Sequence, residues 1–120
     1  MQHPAPLACQ AVAADGEHDA HAALVHAAAR GDEAAWTALV QRFAGLVWET
    51  VRAYPLPAAT AASAAHMTWL RLTQNLGQMP SPGHVGEWLE AAAHQESRRA
   101  VRLHDRAAKE PLSAYGDHHE

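Results

Sequence analysis

Between residues 36 and 51 the apolar side chains Trp36, Leu39, Val40, Phe43, Leu46, Val47 and Val51 recur at spacings of three and four. That period matches one face of an α-helix and fits no strand, whose faces alternate every second residue. A helix with one apolar stripe must bury it against partners, so the rest of the chain has to supply them. Asp32, with Glu33 just inside, reads as the N-cap of this helix, since a carboxylate there satisfies a free N–H and meets the positive end of the helix dipole. Tyr54-Pro55-Leu56-Pro57 ends it near Ala53, because neither proline can donate to the helical ladder.

Three more helices are predicted on the same grounds. The first spans about Asp19 to Arg30, with Leu24, Val25 and Ala28 on one face and Gly31 as its C-terminal cap. The third runs from Pro57, in its first turn, to about Leu76, where Gly77 stops it. Its stripe reads as Ala62, His66, Trp69, Thr73 and Leu76, with Leu70 and Leu72 beside it. Met79-Pro80-Ser81-Pro82-Gly83 forms a rigid turn. The fourth helix starts near His84 and reaches about Lys109, with Val85, Trp88, Leu89, Ala92 and Ala93 facing inward. No strand signal stands out, so the expected fold is all-α, a compact bundle of four helices. Its bounds are residues 19–110, with a mobile tail over 1–18 and a linker or tail over 111–120.

With 120 residues, a second folded domain of ordinary size is excluded. Hydrophobic residues make up 48%, but many are alanine, so packing falls to the Trp, Phe, Leu and Val positions. Cys9 is the lone cysteine, which excludes an intramolecular disulfide and a Cys-rich zinc site. No run approaches the roughly 20 apolar residues of a membrane span, and no signal peptide is evident, so a cytoplasmic protein with no membrane partner is expected. Trp36, Trp69 and Trp88 read as core, whereas Trp48 lies off the main stripe and reads as half exposed.

The net charge is −4, yet five of the nine cationic residues (Arg98, Arg99, Arg102, Arg106 and Lys109) crowd the end of the fourth helix. Arg98, Arg102 and Arg106 are four apart and stack along one side, with His94 and Gln95 one turn earlier. Such a stripe can track a phosphate backbone. It can equally be a solvated face with internal pairs to Asp105. The ten histidines include His18 and His21, with His26 further on, and His118-His119. They fall in or beside the expected tails, so no metal site and no cofactor is expected. No phosphate loop, nucleophile elbow or paired catalytic carboxylates are present, and the expectation is a protein that is not an enzyme.

Taken in order, Leu24-Val25-His26-Ala27-Ala28-Ala29-Arg30-Gly31-Asp32-Glu33-Ala34-Ala35-Trp36, Leu39 to Trp48, Thr68-Trp69-Leu70-Arg71-Leu72, and Trp88-Leu89 with Ala93 to Arg99 resemble region 2 of sigma-70 factors of the extracytoplasmic-function type. The resemblance covers residues of about 20 to 109. It implies a transcription initiation module that binds the clamp helices of the RNA polymerase core through His66, Met67, Leu70 and Arg71. It further implies binding of the single-stranded, non-template −10 promoter element by His94, Gln95, Arg98, Arg99, Arg102 and Arg106, with the loop Gln78 to His84 near a captured base. An anti-sigma factor, or a separate protein carrying region 4, is a further partner that the resemblance implies. Where the family carries an acidic run before Thr68-Trp69, this chain has Thr60-Ala61-Ala62-Ser63 and Ala64-Ala65-His66-Met67. That departure motivates a second expectation, a degenerate sigma-like adaptor that binds a sigma factor, an anti-sigma factor or itself rather than promoter DNA.

Overall fold

A computed structural model describes the backbone of residues 4–109 and the side chains of residues 16–109. Residues 111–120, read as linker or tail, lie outside the described residues. Four helices follow one another: α1 Pro4–Ala29, α2 Glu33–Arg52, α3 Ala58–Asn75 and α4 Val85–Lys109. Two 3-10 turns, Leu76–Gln78 and Pro82–His84, connect α3 to α4. The architecture is an all-α four-helix bundle with no strand among the described residues. Among those residues no helix is long and apolar enough to cross a membrane.

The α1–α2 junction follows from two residues. Gly31 adopts φ 94°, a left-handed conformation that costs glycine little and other residues much more. Its N–H donates to the Ala28 carbonyl at 3.0 Å, and the Asp32 N–H donates to the Ala27 carbonyl at 3.0 Å. This pair of bonds is the Schellman closure of a helix C-terminus. Asp32 then caps α2, its Oδ1 accepting from the Ala35 N–H at 3.2 Å. One residue pair thus ends one helix and starts the next.

Helix α1 starts at Pro4, well before the Asp19 expected from the sequence. Pro4 and Pro6 sit in the first turn, where the missing N–H groups have no helical partner to lose. The alanine-rich stretch after them has high helix propensity. Residues read as tail therefore carry helical backbone up to the expected helix.

The core is built from Val25 of α1, Leu39, Phe43, Val47 and Val51 of α2, Leu72 of α3, and Val85, Leu89 and Ala93 of α4. On α2 and α4 the buried faces are the expected stripes. Trp36 and Trp69 meet edge to face at 5.9 Å and 83°, an arrangement favoured by the ring quadrupoles, and close the seam between α2 and α3. Trp88 packs half-buried against the core, and Trp48 stays 38% exposed.

Helix α3 differs from expectation in which face it buries. Ala61, Ala64, Thr68 and Leu72 point inward, while Ala62, His66 and Thr73 are exposed. Small residues on the inner face let α3 lie close to its neighbours. Thr68 enters the core because its Oγ1 donates to the Ala64 carbonyl at 2.9 Å, so no polar group is left unpaired there. Pro57 precedes α3 as its N-cap residue rather than lying in its first turn, and its carbonyl accepts from Ala61 at 2.8 Å. Gly77 falls within the 3-10 turn and not at a positive φ; α3 gives way two residues earlier, at Asn75.

Candidate nucleic-acid interface

Past Ala93, α4 keeps one buried position, Ser97, and then runs outward, with every residue from Arg102 to Lys109 exposed. Arg98, Arg99 and Arg102 line one concavity here. With Gln95 and Glu96 of α4 and Met67 and Arg71 of α3 they line an open groove of about 570 Å³. Arg71 donates to Glu96 across the helix seam at 3.2 Å, which neutralises one cation of the groove. Among the described residues, Arg98, Arg99, Arg102, Arg106 and Lys109 enter no ion pair, and Asp105 pairs with none of them. Three arginines thus line a shared concavity, and among the described residues no carboxylate pairs with them. Charge of this kind focuses the field of a groove outward and draws anions into it.

A second groove of about 430 Å³ runs beside the first and is mostly apolar, with Ala64, Met67, Ala100 and Leu103 among its walls. Arg99 stands on the ridge between the two and lines both. Leu103 is 50% exposed and Met67 43% exposed, so this strip is open to solvent. The sequence reading did not single out Leu103. Its signal was an isolated leucine within a charged helical end, three residues after Ala100.

The other expected site residues fall in several places. His94 turns away from the arginines: its Nδ1 meets the Tyr54 hydroxyl at 2.6 Å, with the two rings 5.7 Å apart. It joins α4 to the α2–α3 link and is not among the residues lining the groove. Arg106 continues the arginine row but lies beyond the groove lining. On α3, Met67 and Arg71 line the basic groove, whereas His66 and Leu70 are exposed outside it. The loop Gln78 to His84 sits at the opposite end of α4, roughly 20 Å from Arg98 at 1.5 Å per residue. That loop packs on α1, with His18 and His84 rings 4.2 Å apart. A third concavity, near the end of α2, has Trp48, Arg52 and Tyr54 in its lining. Arg52 lies over the Trp48 ring, 5.7 Å from its centre.

Electrostatics near the loop are set by α1. Burial holds the His21 imidazole below its ordinary value, with the nearby Arg42 cation adding to the effect. The ring meets Phe43 edge-on at 4.9 Å, and its Nε2 is buried with no hydrogen-bond partner. Glu87 is held below the usual carboxylate value by the backbone N–H at the start of α4, with His84 a smaller contributor. His18, His84 and Glu87 form the one group among the described residues whose donor atoms stand close enough together to hold a metal ion.

In comparison with known proteins, no protein-family model, no curated protein and no solved structure matches the chain.

Proposed function

We propose that the chain is a sigma-factor-like transcription initiation module, which uses the α4 groove to hold single-stranded promoter DNA and α3 to contact the RNA polymerase core. The observation carrying this reading is the convergence of Arg98, Arg99 and Arg102 on one groove, with no carboxylate among the described residues paired to any of them. Phosphate contacts from such a set supply affinity and register, while neighbouring polar groups such as Gln95 reach toward bases. The ordered resemblance to region 2 supports the choice of promoter DNA among nucleic acids. The exposed side chains of Met67 and Leu70, at 43% and 39%, supply an apolar strip on α3 of the kind a polymerase contact would cover.

A second reading, a sigma-like adaptor that binds protein and not DNA, is favoured by the apolar groove of Met67, Ala100 and Leu103 beside the arginines. The two separate in a binding experiment with purified RNA polymerase core and a labelled single-stranded −10 oligonucleotide. The initiation reading expects binding to the core and preference for the single strand over its duplex. His66→Asp with Leu70→Asp, both outside the arginine groove, should abolish capture of the core and leave binding of the free oligonucleotide in place. Absence of binding to both core and oligonucleotide at low salt would overturn it.

A further inference from the structure

We propose that His18, His84 and Glu87 form a binding site for one divalent transition-metal ion of the zinc class, which clasps α1 to the start of α4. The histidines of this chain were expected to build no site because His18 was read as part of a tail. In the structure His18 lies within α1, whose side faces the Pro82–His84 turn.

The donor atoms of the three residues all lie within 4.8 Å of one another. Within that set, His84 Nδ1 and Glu87 Oε1 are 3.7 Å apart, and the two imidazole centres are 4.2 Å apart. Donors bound at about 2.0–2.1 Å in a tetrahedral array sit roughly 3.3 Å from each other. Closing the widest separation therefore takes about 1.5 Å of side-chain movement, within reach of rotations of partly or fully exposed side chains. The backbone needs no movement, because it is already fixed at contact. A Cβ placed on Gly83 would stand 2.8 Å from the His18 carbonyl oxygen, so the turn presses directly on α1.

The donor set selects the ion. Two imidazoles and one carboxylate suit zinc, cobalt, nickel or copper, whereas calcium and magnesium call for oxygen donors throughout. Pairing of His84 with Glu87 alone does not account for His18, which engages in no side-chain hydrogen bond among the described residues. Two imidazoles in contact beside a carboxylate are the arrangement a cation draws together. Three protein donors leave the remaining position to water. His21, one turn along α1, is not a fourth donor, since its ring nitrogens fall outside the set of donor atoms that stand within reach of one another.

The test uses the full chain, freed of metal and titrated with zinc by calorimetry and with cobalt by visible absorption. A His118→Gln, His119→Gln variant serves as reference, so that terminal imidazoles contribute nothing. One equivalent should bind to both wild type and reference, with the intense visible cobalt bands of a low-coordinate site. His84→Gln, Glu87→Gln and His18→Gln should each weaken zinc by about tenfold or more, the scale set by loss of even supporting groups at metal sites. His84 and Glu87 are exposed, so their variants keep the fold. Saturating zinc should raise the melting temperature of the reference and not that of His84→Gln. Zinc binding unchanged in His84→Gln and Glu87→Gln, binding lost with the terminal histidines, or no stoichiometric binding would overturn the site.

Discussion

The steepest consequence of the arginine groove is its response to salt. Counterion release makes the logarithm of affinity fall linearly with the logarithm of salt, by about 0.7 per phosphate contact on a single strand. Arg71 is held by Glu96 at 3.2 Å, so the cations available in the groove are Arg98, Arg99 and Arg102. Three contacts give a slope of about −2, and raising salt from about 50 to 200 mM should weaken binding roughly 20-fold. Arg98→Ala with Arg102→Ala leaves one contact, a slope of about −0.7 and only a roughly threefold loss over the same range. Fluorescence anisotropy with a short labelled single strand, repeated across salt, reads both slopes. The comparison that isolates the groove is Arg30→Ala with Arg52→Ala. It removes two positive charges as well, so both double variants take the net charge from −4 to −6. Neither Arg30 nor Arg52 lines the groove. If the two double variants show the same slope, affinity comes from the overall field of the protein and the groove reasoning fails. If only the Arg98 and Arg102 pair flattens it, the contacts lie in the groove that these arginines line.

Gly31→Ala places a side chain at φ 94° and should destabilise the chain by about 1 kcal/mol or more, read from the urea midpoint. An unchanged midpoint would mean the α1–α2 junction relaxes to another closure. Ser97 is fully buried and its Oγ has no partner, so Ser97→Ala should stabilise by about 1 kcal/mol through removal of an unsatisfied hydroxyl. A loss of stability would show that the hydroxyl is hydrogen-bonded in solution. Burial, aided by Arg42 and His18 and opposed by Glu17 and Glu87, holds His21 below 6.5. The unfolded chain then takes up that proton before the folded one. Stability should be unaffected by His21 above pH 6.5 and fall as pH drops from 6.5 toward the lowered value. Urea melts of wild type and His21→Gln across this window should diverge in slope, and parallel curves would remove His21 as the cause.

Legibility in the sequence followed the strength of the pattern. On α2 large side chains at helical spacing sit between polar ones, and Leu39, Phe43, Val47 and Val51 are buried as that spacing requires. The Gly31-Asp32 junction was equally readable, because a left-handed cap and a carboxylate N-cap are local chemistry. On α3 alanine occupies both candidate faces, so periodicity alone could not choose between the stripe of Trp69 and that of Thr68. Packing chose, by setting the smallest residues and Leu72 against α2 and α4.

The same distinction separates the two sites. The arginine row lies on one helix, so its spacing was visible, yet the partners that shape its groove, Met67 and Arg71, come from α3 and were not. The contact His94 makes was hidden for a related reason: helical spacing gives a direction, and the α2–α3 link supplies the Tyr54 hydroxyl that meets the ring. The histidine cluster was wholly hidden, because it needs α1 to continue through His18 and Gly83 to admit the His18 backbone at contact distance. Within one helix a sequence shows which side chains share a side. Which sides meet is decided by small residues such as Gly83 and Gly86, the latter under the Phe43 ring, where the absence of a side chain permits the approach. The chemistry of this chain therefore depends as much on where side chains are missing as on the charged residues that first draw notice.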